Sequence, residues 1–308
     1  MPKKPVEKNS TMKPPETMAS LVWRRFRRHP GAMVGAVVLI ILILSVTFAG
    51  LSPHDPETSD IKNRYQPPSW THPFGTDGLG RDILVRVLFG GRVSLMVGFM
   101  VVGITLSIGV PVGAIAGYFG GWIDSVLSKF IDATLSLPGL MMMILIAAIL
   151  REIDLPIVES STTLTIALVL GVLSWPTVAR LVRAIFLTFR EMEYVTAAKA
   201  LGASNFRIII SEILPNGLGP IIVEATLGVG YAIMSESTLS FLGFGIMPPT
   251  PSWGNLLDNA QEHLSQYPWL AIFPGLMIFL TTISVNYIGD GLRDALDPYK
   301  LLQEIKEV

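Results

Sequence analysis

The stretch YVTAAKALGASNFRIIISEILPN, residues 194–216, is polar and helix-forming, is broken once at Gly202, and meets a proline at Pro215. On both sides of it the chain runs to long series of hydrocarbon side chains. EMEYVTAAKA favours a helix, Gly202 supplies the left-handed residue that ends one, and Ser204 or Asn205 can cap the next. The expected local structure is therefore a short helix, a sharp turn and a second helix that runs on into the apolar segment. Connections between neighbouring helices are usually about two to eight residues. An insert several times that length, with the small residues Ala197 and Ala198 on its first helix, offers a face that another protein can approach closely.

Outward from this insert, the apolar runs set the architecture. A bilayer core takes about 20 apolar residues of helix. Residues 31–53, 93–123, 133–150, 160–179 and 264–289 carry no formal charge. Residues 213–235 are apolar except for Glu224 at their middle, a carboxylate whose insertion costs about 2.5–3.5 kcal/mol and which the surrounding aliphatic residues can offset. The expectation is an all-α polytopic membrane protein with six transmembrane helices, since a helix satisfies its own backbone groups in lipid. Pro111, Pro138, Pro176, Pro220 and Pro274 fall in or near the spans, where neighbouring helices make proline tolerable.

Half of the 308 residues are hydrophobic and 15% are charged, with a net charge of −1. That balance gives no reason to expect nucleic acid as a partner. With no cysteine, disulfides and thiolate metal sites are excluded. His29, His54, His72 and His263 are scattered, so no metal site is expected.

Charge sets the expected orientation. Placing the N-terminus inside puts 17 of the 23 Lys and Arg residues in cytoplasmic segments and six outside, in keeping with the positive-inside rule. The expected organisation is a cytoplasmic tail and amphipathic helix over residues 1–30 and a first transmembrane helix over 31–53. An extracytoplasmic loop (54–92) leads to a five-helix core over 93–290, which carries the cytoplasmic loop 187–215. A cytoplasmic tail over 291–308 follows. Residues 1–16, rich in Pro, Lys and Glu, are expected to be disordered, and the first span, preceded by eight basic residues, is expected to be retained rather than cleaved. MASLVWRRFRRHP (residues 18–30) reads as an amphipathic helix on the membrane surface, or as a plain basic anchor that sets topology.

Other residues carry alternatives. Gly109, Gly113 and Gly117 recur every four residues and line one helix face, a close-packing seam; Gly121 continues the spacing but, with Gly120, also suits a turn. Glu224 either lines a translocation path or accepts a hydrogen bond from a neighbouring helix. Glu236, near the outer boundary, reads as structural. GTDGLGRD (residues 75–82) fits neither a phosphate cradle nor a calcium loop and reads as a structured loop with an internal Arg–Asp pair; residues 83–89 suit an interfacial helix. Asp290, Arg293, Asp294 and Asp297 are expected to ion-pair at the end of the last span. No G-x-x-x-x-G-K-[ST] is present, nor any Gly-Lys pair, so no nucleotide-binding P-loop is formed.

The insert resembles the EAA loop of ATP-binding-cassette importer permeases. Ala197, Ala198, Gly202, Leu214 and Pro215 match that motif, Ala203 follows its glycine, Thr196 stands where the family usually has Glu, and Glu212 where Ile is common. HPFGTDGLGRDILVRVLFGGRVSL (72–95), LSWPTVARLVR (173–183), SESTLSFLGFG (235–245), PPTPSWGNLL (248–257) and NYIGDGLRDALDP (286–298) are similar, in order, to the dipeptide/oligopeptide/nickel permease group and specifically to its second, C-type subunit. The resemblance implies a type I importer permease fold like that of methionine permeases, and a transport subunit without its own ATPase site, in the cytoplasmic membrane with both termini inside. It implies a homologous permease as heterodimer partner, two ATPase subunits that hold ATP and Mg, an extracytoplasmic substrate-binding protein, and surrounding lipid. The chain itself is expected to bind no cofactor. Alternatives are import of nickel or another small solute by the same machinery, and a stand-alone secondary transporter. A secondary transporter should show inverted repeats, which are not evident here. An intramembrane enzyme lacks a catalytic constellation.

Overall fold

The computed structural model describes residues 18–52, 55–153 and 161–297. The expectations for residues 1–16, and for the tail beyond residue 297, lie outside the described residues. Every element of length is helical: α1 (Met18–Arg28), α2 (Pro30–Thr47, prolonged by a 3-10 turn to Leu51), α3 (Ile83–Phe119), α4 (Gly121–Leu135), α5 (Gly139–Glu152), α6 (Thr162–Phe189), α7 (Glu193–Ala200), α8 (Asn205–Phe241), α9 (Trp253–Ala260) and α10 (Trp269–Leu296).

Polar caps open the helices where the apolar runs begin. The His29 ring accepts from Ala32 N at the start of α2, Asp82 from Val85 N at α3, and Ser161 from Leu164 N at α6. Ser252 and Asn255 form a reciprocal capping box on α9. Among the described residues α2, α3, α6, α8 and α10 are each long and apolar enough to cross a membrane, and α4 with α5 makes a sixth crossing if that bent pair counts as one span.

Two spans differ from the sequence expectation. Residues 83–89, expected as a separate interfacial helix, are the first two turns of α3, which starts ten residues before the charge-free run. The charges that mark its early turns find carbonyl partners inside the protein. Arg86 is buried and donates to Pro56 O, and Arg92 reaches across to Val46 O and Thr47 O on α2. The run 133–150 is not one rod: α4 and α5 meet at 83° around Ser136–Pro138. Pro138 is the N-cap of α5 with extended backbone, ψ 102°, and a proline disfavours the helical region for the residue before it; a count of apolar residues does not see this. Pro111, Pro176, Pro220 and Pro274 lie inside helices that continue through them.

At one end of the bundle lie α1, α7, the start of α4 and the end of α10; at the other lie the 55–82 loop, residues 242–252 and α9. Helices α3 and α6 form the central pair. Helix α8 packs on both α3 and α10, and α2 is held against α10. Helix α1 buries Leu21 and Phe26, and Phe26 packs with Ala32 of α2 and Ala295 of α10. At the loop-bearing end Trp253 is fully buried, donates Nε1 to Val87 O at 2.9 Å, and lies against Gly90 and Gly91.

The first turns of α8 include a π-helical stretch, Ile208–Ile213, just before Pro215. A π-bulge amounts to one extra residue in the helix. Here it precedes a proline that removes a backbone donor, and the Asn216 side chain donates to Glu212 O at 2.6 Å.

Candidate functional site

At the α7 end, α6 stops at Phe189, Arg190 donates to Gly117 O at the end of α3, and α7 follows after a short turn. Gly202 has φ +82°, the left-handed conformation, with no atom near enough to meet an added Cβ. Of the two candidate caps, Ser204 is the one that acts, its Oγ accepting from Arg207 N. The elbow between α7 and α8 is thus a turn set by backbone conformation and a cap.

Its inner side is a small core. Val195, Ile208 and Ile213 are fully buried with Tyr118, Val182 and Phe186, and Ala198, Ala203 and Leu214 pack against them. Thr196, Ala197, Gly202 and Pro215 face outward. Thr196 donates its hydroxyl back to Met192 O. Partial burial, reinforced by the negative charge of Glu212, pushes the Tyr194 phenol above its usual range.

Sequence reasoning passed over the exposed apolar residues at the tip. Leu201 is 89% exposed and Phe206 75% exposed, on either side of Gly202. Leu201 follows the end of α7 and Phe206 is the second residue of α8, so both stand at the turn rather than midway along a span. Leu201 sits between Ala200 and Gly202 and Phe206 between Asn205 and Arg207, so neither belongs to a periodic apolar pattern. The elbow's anchors on α3 were also not legible: Tyr118 donates to Asn205 Oδ1 at 2.8 Å, and the Lys199 ammonium lies 5.4 Å from the centre of the Tyr118 ring.

Within the spans, Gly109, Gly113 and Gly117 all face α6. A Cβ at Gly109 would come within 2.9 Å of Trp175 O, one at Gly117 within 2.6 Å of Arg183 O, and one at Gly113 would collide with Ala179 O. Gly120 and Gly121 both have positive φ and make the break between α3 and α4. Alongside the seam, Arg183 of α6 grips Asp124 of α4 with both Nε and Nη2, and Arg180 pairs with Asp132.

Glu224 is half-buried midway along α8. It shares a helix face with Gly217, which abuts Ile185 of α6, and Gly228, which abuts Val102 of α3. Among the described residues it has no hydrogen-bond or ion-pair partner. Glu236, a turn and a half from the end of α8, is fully buried and accepts from Ser94 and Ser240.

In the 55–82 loop the expected internal pair is present: Arg81 Nε to Asp77 Oδ2 at 2.8 Å. Asp82 holds His72 at 2.8 Å, and His263 meets the Tyr65 hydroxyl at 2.8 Å. At the end of α10, Asp294 lies 3.9 Å from His29 Nε2. Asp290 and Arg293, expected to ion-pair there, do not do so among the described residues. A one-turn offset on α10 brings Asp294 to the neighbouring helix, which the sequence cluster could not reveal. No group of His, Asp or Glu among the described residues is arranged to hold a metal.

Comparison with known proteins completes the picture. Residues 109–300 match the family model "Binding-protein-dependent transport system inner membrane component", and residues 17–68 match the "N-terminal TM domain of oligopeptide transport permease C". The dipeptide transport system permease protein DppC of Alkalihalophilus pseudofirmus is 42% identical over 92% of this chain and 93% of its own. The oligopeptide transport system permease protein OppC of Bacillus subtilis is 39% identical over 89% of this chain and 87% of its own. The fold is shared with a chain of the MetNI methionine transporter in inward-facing conformations, with TM-score 0.56 at 17% identity, covering 70% of this chain and 98% of that one.

Proposed function

The chain belongs to the inner membrane components of binding-protein-dependent transport systems, and from that premise we propose that it passes di- or oligopeptides across the cytoplasmic membrane as a permease subunit of an ATP-binding-cassette importer. The full-length likeness to dipeptide and oligopeptide permeases supports peptides over nickel or another solute as cargo. It is not an enzyme; the family's permeases leave ATP hydrolysis to separate subunits, which would hold ATP and Mg.

The observation that carries the coupling role is the elbow: Leu201 and Phe206 stand out into solvent on either side of Gly202, above a buried core that ties them to α3 and α6. In this reading the loop 187–215, with Thr196, Ala197, Ala198, Gly202, Ala203, Leu214 and Pro215, seats in an ATPase subunit. Thr196, Ala197, Leu201 and Phe206 meet that subunit. Ala198, Ala203 and Leu214 carry the displacement inward, α8 transmits it, and each nucleotide state favours one helix arrangement over the other. This puts the α7 end, both termini, residues 1–30 and residues 291–308 in the cytoplasm. The 54–92 loop faces outward, toward a binding protein. A homologous permease completes the pathway, two ATPase subunits dock below, and lipid surrounds the remainder. Gly109, Gly113 and Gly117 hold α3 on α6, and Glu224 lines the path.

The test is to co-express the chain with candidate ATPase and permease subunits and replace Gly202 with Val. A β-branched residue at φ +82° is strained by about 1–2 kcal/mol, although nothing blocks its side chain. Loss of ATPase association and of peptide uptake, with the chain still folded in the membrane, is expected; full uptake with the elbow disrupted overturns the reading.

A further inference from the structure

Glu236 is the only charged side chain buried to 0% exposure among the described residues, and it has no cationic partner there. A dry carboxylate without a counter-charge is costly unless its oxygens are hydrogen-bonded. Its partners are hydroxyls: Ser240 Oγ at 2.7 Å on Oε1, Ser94 Oγ at 3.0 Å on Oε2, and Ser237 Oγ at 3.4 Å on Oε2.

The direction of the backbone bonds behind these hydroxyls is fixed. Ile246 N–H donates to Ser240 Oγ at 3.0 Å, and Trp253 N–H donates to Ser94 Oγ at 3.2 Å. A backbone N–H can only donate, and a serine hydroxyl has one proton to give. Each hydroxyl therefore accepts from the backbone and keeps its own proton to donate to Glu236, whose two oxygens both accept when the side chain is ionised. Two relays of the same polarity converge on one side chain.

What the relays hold is the segment between α8 and α9. Ile246 is 1% exposed and enters a cluster with Val97 and Val101 of α3, Met143 of α5, and Ile166 and Leu170 of α6. The segment is tied from a third side by Arg151 of α5, which donates to Gly243 O at 2.7 Å and Gly245 O at 2.9 Å. Residues 242–252 thus plug the loop-bearing end, where α3, α5, α6 and α8 converge.

We infer that Glu236 is the positioning residue of this plug: through Ser240 and Ser94 it seats Ile246 and Trp253, and the outer end of the pathway opens when the plug leaves that cluster. The sidedness and the role in transport rest on the function proposed above; the seating of the plug does not.

The chain has no cysteine, so a single Ile246→Cys reports seating by its rate of reaction with a maleimide, and Trp122→Cys, at the exposed start of α4, reports the far end. Both are read on the full chain assembled with its ATPase and permease partners in proteoliposomes. Glu236→Gln leaves a serine proton facing an amide N–H, and Ser240→Ala removes one relay if the first variant fails to assemble. The expected result is labelling at Ile246→Cys raised about tenfold, a shift of about 1.4 kcal/mol in the opening equilibrium, with labelling at Trp122→Cys unchanged. Peptide taken up per ATP hydrolysed falls, a ratio that general destabilisation would leave alone. Unchanged labelling at Ile246→Cys overturns the inference, and so does equal acceleration at both positions. If the parent complex takes up no peptide, the transport reading fails while the labelling comparison still decides whether Glu236 seats the plug.

Discussion

The Tyr118 hydroxyl, on the last turn of α3, donates to Asn205 Oδ1 at 2.8 Å, the residue that opens α8. One hydrogen bond thereby joins the central helix pair to the elbow. Tyr118→Phe removes the bond while keeping the ring that packs beneath Val195 and Ile208. The expected loss is about 0.5–1.5 kcal/mol, too little to unfold the chain. The effect should appear as weaker stimulation of ATP hydrolysis by the loaded binding protein, with the assembled complex still recovered intact.

The glycine seam makes a sharper prediction. Gly113→Val adds branched carbon where Ala179 O and Val182 already stand, and overpacking of this kind costs about 1–3 kcal/mol. Thermal unfolding in detergent should show a clear fall in Tm. Gly103→Val on the same helix, where no atom lies within 4 Å of an added Cβ, should leave Tm unchanged. Equal effects at the two positions would remove the seam from the account of α3–α6 packing.

Arg183 and Asp124 make a two-point contact between α6 and α4, with both side chains only partly exposed. Arg183→Gln should cost about 1 kcal/mol after allowance for solvent screening. The charge-swapped pair Arg183→Asp with Asp124→Arg should recover part of it. The measurement is a double-mutant cycle on Tm, and additivity within error would show that the contact contributes nothing.

Glu224 separates structure from transport. Replacing it with Leu removes an insertion cost of about 2.5–3.5 kcal/mol, and the carboxylate gives up no partner among the described residues. Stability should hold or rise while peptide uptake drops. A variant that loses stability, or that transports normally, would take Glu224 out of the pathway.

The sequence made most of the helices legible because a span in lipid advertises itself by length and lack of charge. It misled at residues 83–92, where Arg86 and Arg92 interrupt the charge-free pattern yet find carbonyl partners inside the fold. It misled again at Pro138, which breaks one apolar run while four other prolines sit within intact helices. The turn at Gly202 was readable from local chemistry alone. Leu201 and Phe206 were not, because an exposed apolar residue and a buried one look alike in a sequence. The Glu236 relays join residues up to 159 positions apart, and nothing local in the chain announces such pairing.

The π-helical stretch Ile208–Ile213 has a consequence for the whole of α8. Removing one residue from it would restore a regular helix and leave the residues beyond it close to their present angular phase, whereas a residue removed from the regular helix further on would turn everything after the cut by about 100°. A cut between Pro220 and Glu224 would in that way take Gly228 from Val102 and turn Glu224 with it. The stretch is thus the one place in α8 with a residue to spare. Single deletions within Ile208–Ile213 should consequently be tolerated better than single deletions between Pro220 and Gly228.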